Sequence, residues 1–240
     1  MASSRARILL AEDHAVVAEG LKLLIEKSHN VIGIVANGRA LVTEATKIQP
    51  DLIVLDIGMP LLNGMDAARR IRERLPKVKI VFLTMQENPN LAAAAMQLGS
   101  VGFVIKHSAG SELLRAIDQV LSGRNYLTPK LKSDDWVVMK RRQAQFGKEM
   151  TDRQREILQL CAEGRSIKEV AWLLNLSVKT VEFHKYHIME LFELKNIADL
   201  VLFALEQGLI TRDSVHMQPR SSQGVGTGAK GVQVFSRASS

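Results

Sequence analysis

The chain of 240 residues is poor in cysteine. Cys161 stands alone, which excludes an internal disulfide and a cysteine-built metal cluster and points to a reducing compartment. Aromatic residues are few at 5%, although hydrophobic residues at 46% suffice for compact cores. No apolar run approaches the ~20 residues that a membrane helix needs, and the first, Ile8 to Ala11, is too short for the core of a signal peptide. No internal repeat is visible. A soluble, cytoplasmic chain without membrane contact is expected.

The cationic excess is not where a simple nucleic-acid argument needs it. Net charge is +7, yet residues 151–211 carry 7 Lys and Arg against 9 Asp and Glu. The excess lies in residues 1–129 (15 against 12), 130–150 (6 against 3) and 212–240 (4 against 1). Bulk charge therefore decides nothing about nucleic acid, and only the placement of individual cations can.

What is present in the first half is a regular alternation. Short, almost wholly apolar runs occur at Ile8–Ala11, Val31–Ala36, Leu52–Leu55, Ile80–Leu83 and Val101–Ile105. Such runs fit strands buried on both faces, as in a parallel sheet. Amphipathic helical patterns lie between them, at about 15–27, 38–48, 63–75, 89–98 and 110–122. Five strands alternating with five helices predict a doubly wound α/β domain over 5–123. A polar, cationic linker follows at 124–149, whose middle, Trp136 to Phe146, could form a short helix. From Thr151 the period is helical at 152–163, 167–174, 178–191 and 196–207, so a second, smaller all-α domain is expected over 150–211. The Ser-, Gly- and Gln-rich remainder, 212–240, reads as a disordered tail.

Functional groups of an open parallel sheet gather at the carboxyl ends of its strands. There the sequence places Glu12 and Asp13 after strand 1, Asp56 after strand 3, Thr84 after strand 4 and Lys106 after strand 5. Each has an ordinary explanation alone: an Asp after a strand is usually a helix cap, a Lys a solvated loop residue, a Thr a β-branched strand end. Together they make three carboxylates that repel one another unless a cation sits between them. A hard, oxygen-preferring ion such as Mg²⁺ suits that set, with Lys106 and Thr84 placed to hold phosphoryl oxygens.

The segments Leu10-Ala-Glu12-Asp13-His14, Leu55-Asp56-Ile-Gly-Met-Pro60-Leu-Leu-Asn-Gly64, Leu83-Thr84 and Gly102-Phe103-Val-Ile-Lys106 resemble the receiver domain of response regulators, a flavodoxin-like fold with a five-stranded parallel sheet. The resemblance implies that Asp56 is the phosphoacceptor and that Asp13, Asp56 and the backbone carbonyl of Gly58 ligate Mg²⁺, with Glu12 in support. It implies that Thr84 and Lys106 bind the phosphoryl oxygens and that Phe103 changes rotamer on activation. Receivers often carry a proline after the lysine, commonly with a cis bond; His107 stands there, so no cis peptide is expected.

The second domain opens on Thr151, with Gln154 at capping-box spacing, and Gly164 marks a helix stop. Ser166 starts the next helix, and a tight turn at Asn175-Leu-Ser177 leads into a third near Val178. Two short helices joined so describe a helix-turn-helix whose second member enters the DNA major groove. On it Lys179, Thr180, His184 and Lys185 are the candidate DNA contacts, although the same pattern also describes an ordinary amphipathic surface helix. Thr151-Asp-Arg-Gln-Arg-Glu156-Ile-Leu, Glu163-Gly164-Arg-Ser-Ile-Lys168-Glu169-Val-Ala171 and Ser177-Val-Lys-Thr180-Val-Glu182-Phe-His184 resemble the LuxR-type helix-turn-helix. Receiver plus this module is the arrangement of NarL/FixJ-class response regulators. That implies a histidine kinase as phosphoryl donor, double-stranded promoter DNA as target and a homodimer when phosphorylated. In this class Glu156 is structural and the last helix often forms the dimer interface. Family members usually have glycine where Glu193 stands, so this residue must turn left-handed or let the helix run on.

Two rival readings differ in class. A Mg²⁺-dependent phosphohydrolase with Asp56 as nucleophile typically has a second acid two residues on, where this chain has Gly58. An orphan regulator whose receiver only makes protein contacts does not need the complete set Glu12, Asp13, Asp56, Thr84 and Lys106.

Overall fold

The computed structural model describes residues 5–99, 101–131, 150–211 and 232–234. The first unit runs β1 (Arg7–Ala11), α1 (Ala15–Ile25), β2 (Asn30–Val35), α2 (Gly38–Ile48), β3 (Leu52–Asp56), α3 (Gly64–Arg74), β4 (Lys79–Thr84), α4 (Pro89–Met96), β5 (Val101–Ile105) and α5 (Ala109–Leu121). β3 and β5 are buried at every position, because helices cover both faces of the sheet. One core holds the sheet face under α2, α3 and α4, with Leu41, Ala67, Ile71, Phe82, Ala92 and Phe103. The other lies under α1 and α5, with Leu10, Leu21, Val54, Leu83, Leu113 and Ile117. The helix starts are locally encoded: Asn37, Asn63 and Asn88 each accept a backbone N–H of the first turn.

The sheet is larger than the five strands expected. Its order is β6-β5-β4-β3-β1-β2-β7, where β6 is Tyr126–Leu127 and β7 is Val232–Val234. β6 pairs parallel with β5, placing Leu127 beside Phe103, and β7 pairs antiparallel with β2. The linker boundary at 124 is thereby corrected. Tyr126 and Leu131 pack into the receiver cores, and the Tyr126 and Thr128 hydroxyls donate to buried Glu112, each at 2.9 Å. The tail is likewise corrected at 232–234, where backbone pairing with the β2 edge makes a strand of residues read as disordered. The rest of 212–240, and the short helix expected at Trp136 to Phe146, lie outside the described residues.

The second unit comprises α6 (Asp152–Ala162), α7 (Ile167–Leu174), α8 (Val178–Leu191) and α9 (Ile197–Glu206). Thr151 with Gln154 and Ser166 with Glu169 form reciprocal capping boxes, satisfying backbone donors at two helix starts. Ile157, Leu160, Val170, Val181, Ile188, Leu200 and Ala204 fill the core. Glu193 turns left-handed at φ 55°, and the Leu194 N–H closes on the Met189 carbonyl at 2.8 Å. Of the two alternatives for a non-glycine residue, the stop prevails, at a strain of about 1–2 kcal/mol. Cys161 is buried and its thiol is pushed up to about 11, mainly by burial, so it is protonated and shielded at neutral pH.

Candidate functional site

Strand register assembles the pocket. Ala11 pairs with Leu55, Asp56 with Leu83, and Thr84 with Ile105, so Glu12, Asp56, Thr84 and Lys106 line one sheet edge. The Lys106 ammonium lies 2.7 Å from Glu12 Oε2 and 2.9 Å from Asp56 Oδ2. Burial alone would lower its pKa, but the charges of Asp56 and Glu12 outweigh burial and hold it above its ordinary value. Asp56 is buried, and its Oδ1 accepts the Gly58 N–H at 3.3 Å. The Thr84 hydroxyl is buried and accepts the Gln86 N–H at 3.0 Å. Phe103 is wholly buried, in the core beneath α4. Lys106–Ser108 form a short 3-10 turn, and no cis peptide occurs among the described residues.

The acidic set fits a hard divalent ion. Ligand oxygens of Glu12 and Asp13, with the His14 ring, lie within 4.8 Å of one another. Burial, then the charge of Asp56, pushes Glu12 above the usual carboxylate range. Asp13 is raised too, first by burial and then by Asp56, although His14 opposes the shift. Burial, with the charge of Asp56 added to it, penalises the ionised form of both carboxyls, a penalty that a bound dication would relieve.

The loop from Asp56 to α3 is gripped by the second unit, a contact that the sequence reading missed. Leu61 is left-handed at φ 67°, its side chain packs against the helix-turn-helix core, and its N–H donates to Glu163 Oε1 at 3.0 Å. Gln159 Oε1 accepts the Asn63 N–H at 2.9 Å, while its amide donates to the Met59 carbonyl at 3.1 Å. A methyl at Gly58 would come within 2.5 Å of the Thr211 side chain, so a larger residue there would displace Thr211. Beside the loop, Arg39 of α2 and Arg70 of α3 reach the Glu156 carboxylate at 3.1 and 3.0 Å, and Arg155 reaches Asp66 at 2.8 Å. Glu156 thus ties the two units together as well as capping Arg153 at 3.2 Å. One local signal was available: Leu61, an apolar residue in a turn, needs a hydrophobic neighbour from elsewhere in the chain.

On α8, Lys179 points outward, whereas Thr180, His184 and Lys185 are half-buried. The Thr180 hydroxyl lies 2.8 Å from that of Ser177, within the helix cap. Outward positions that the sequence reading did not select include Glu182, Phe183, Tyr186 and His187.

A carboxylate pocket on a five-strand 2-1-3-4-5 core, joined to a helix-turn-helix, defines a class: a receiver coupled to a DNA-binding output module. Two family models match accordingly, the response regulator receiver domain over residues 8–118 and the bacterial regulatory proteins of the luxR family over 148–204. The chain belongs to the response regulators of the NarL/FixJ class. It is 32% identical over 214 residues to the oxygen regulatory protein NreC of Staphylococcus carnosus, covering 85% of this chain and 99% of that protein. A LuxR-family two-component response regulator from Aurantimonas sp. SI85-9A1 is 30% identical with TM-score 0.50, over 59% of this chain and 99% of that one. A structure of two RcsB dimers bound to two parallel DNAs is 25% identical with TM-score 0.50, over 85% of this chain and 99% of that one.

Proposed function

We propose that this protein is a transcriptional response regulator in which Asp56 accepts a phosphoryl group from a histidine kinase. Phosphorylation shifts the chain toward a DNA-competent homodimer at promoter DNA. The observation that carries this reading is the meeting of Glu12, Asp13, Asp56, Thr84 and Lys106 at one sheet edge, in a chain that continues into a helix-turn-helix. Asp13, Asp56 and the Gly58 carbonyl would hold Mg²⁺, with Glu12 in support; when bound, the ion supplies positive charge against the phosphoryl oxygens. Lys106 offers a fixed ammonium and Thr84 a hydroxyl to the same oxygens. Thr84 moves toward the phosphoryl group and leaves space that Phe103 can fill. The chemistry is self-modification rather than turnover, and a cytoplasmic setting goes with it. No helix among the described residues is long and apolar enough to cross a membrane.

The test is the affinity of the full chain for DNA, with and without acetyl phosphate and Mg²⁺, at matched salt and protomer concentration. A gain of roughly 5- to 150-fold is expected; equal affinity in both states refutes gating by the receiver. Asp13→Asn removes one anionic ligand, and a Mg²⁺ titration should show affinity falling on the order of tenfold or more. Unchanged affinity would remove Asp13 from the metal site.

A further inference from the structure

The face that α8 turns to solvent has an unusual composition for a helix meant to meet a polyanion. Val181 and Ile188, both wholly buried, fix its rotation. At 100° per residue, Lys179, Phe183 and Tyr186 then point away from the core, and Glu182 flanks them. Exposure agrees: Phe183 keeps 65% of its surface and Tyr186 69%, while Lys179 and Glu182 are exposed. The stripe 179-182-183-186 has i, i+3, i+4, i+7 spacing on the first turns of the helix, the part that reaches base edges in this motif. It holds one cation, one carboxylate and two aromatic rings.

Phe183 is also braced. Its ring meets those of His184 at 5.7 Å, edge on, and His187 at 6.3 Å. His187 Nδ1 in turn lies 3.2 Å from the Gln154 amide, which belongs to the capping box of α6. A large apolar ring left in water yet held by a chain of contacts reaching a second helix is arranged to meet something apolar. In the major groove, the exposed apolar group is the thymine methyl; the partner of a carboxylate there is the cytosine amino group.

Resting on the DNA-binding reading above, we propose that this chain reads its operator through Glu182 and Phe183, which select a cytosine and a nearby thymine, with Tyr186 extending the apolar contact and Lys179 holding phosphate. Sequence choice thus comes from an acceptor and an aromatic wall rather than from cations directed at guanine. The net acidity of residues 151–211 is consistent with this division of labour.

The experiment selects sites from a randomised duplex pool with the full chain in the presence of acetyl phosphate and Mg²⁺. Affinities are then measured on the enriched sequence and on single-base variants. Wild type should prefer cytosine at one position by roughly 5- to 150-fold, and Glu182→Gln should move that preference to adenine. Replacing the neighbouring thymine by deoxyuridine should weaken wild-type binding about fourfold, the worth of one buried methyl group. Phe183→Ala should not distinguish the two bases. Protection of Cys161 from alkylation verifies that each variant is folded. If no sequence is enriched, the DNA-binding reading itself fails. If a sequence is enriched but both variants keep the wild-type base preferences, the stripe is not the reader and only this inference falls. Loss of sequence-independent, salt-sensitive binding in a folded variant also overturns it, because that binding belongs to phosphate contacts.

Discussion

Asp56→Asn should remove phosphoryl acceptance completely while leaving the fold in place. The amide is nearly isosteric, and its oxygen can keep the Gly58 N–H bond that Asp56 Oδ1 accepts. It cannot form the acyl phosphate, because it offers no nucleophilic carboxylate oxygen. Lys106 loses one of two anionic partners but keeps Glu12 at 2.7 Å, so the ammonium is not stranded. Intact-mass measurement after incubation with acetyl phosphate and Mg²⁺ should show an adduct on wild type and none on the variant; an equal adduct would reassign the acceptor. A second readout comes from Glu12, whose carboxyl is raised first by burial and next by the charge of Asp56. With that charge gone, the Glu12 pKa should fall toward its ordinary value in an NMR titration.

Glu156→Ala should open the contact between the two units. The carboxylate keeps 2% of its side-chain surface and serves Arg39, Arg70 and Arg153 together. Without it three guanidinium groups face one another, and Arg39 is already held below its usual pKa by burial. Truncating one partner of a buried charge pair removes roughly 2–5 kcal/mol. The lower end applies, because Arg39 and Arg70 keep about a third of their surface and rehydrate. Small-angle scattering should report a larger radius of gyration for the variant, with Glu156→Gln in between. A profile identical to wild type would mean that Leu61, Asn63 and Gln159 hold the units without it.

The legible parts of this molecule were those with a local cause. Uniformly apolar runs of four to six residues, alternating with amphipathic helical patterns, fit strands covered on both faces, and parallel strands deliver their last residues to one edge; Glu12, Asp56, Thr84 and Lys106 could be gathered on that logic. β6 escaped because two residues, Tyr126 and Leu127, are too few to display a period. The pairing of Glu156 with Arg39 and Arg70 escaped for a different reason. The resemblance marks Glu156 as structural without naming its partners, and nothing in a window of ten residues says that arginines more than eighty positions away will meet it. On α8 the exposure of individual positions was not legible in the sequence. His184 and Lys185 look polar and available, yet the core formed by Val181 and Ile188 turns them partly inward and leaves the aromatic positions outside.

The Thr211 side chain lies close to Gly58, two residues from Asp56, and any coupling between phosphorylation there and release of the second unit would act in both directions. Whatever free energy a phosphoryl group contributes toward releasing the helix-turn-helix unit, release contributes equally toward holding the phosphoryl group, since coupling between two binding events has no preferred direction. α8 faces solvent in this structure, and DNA that binds more tightly once the units separate would draw the equilibrium toward separation. A promoter is in that sense an effector of the acyl phosphate. With the chain at equilibrium with its phosphoryl donor, adding operator DNA should raise the phosphorylated fraction, and an unchanged fraction would uncouple the two ends of the molecule.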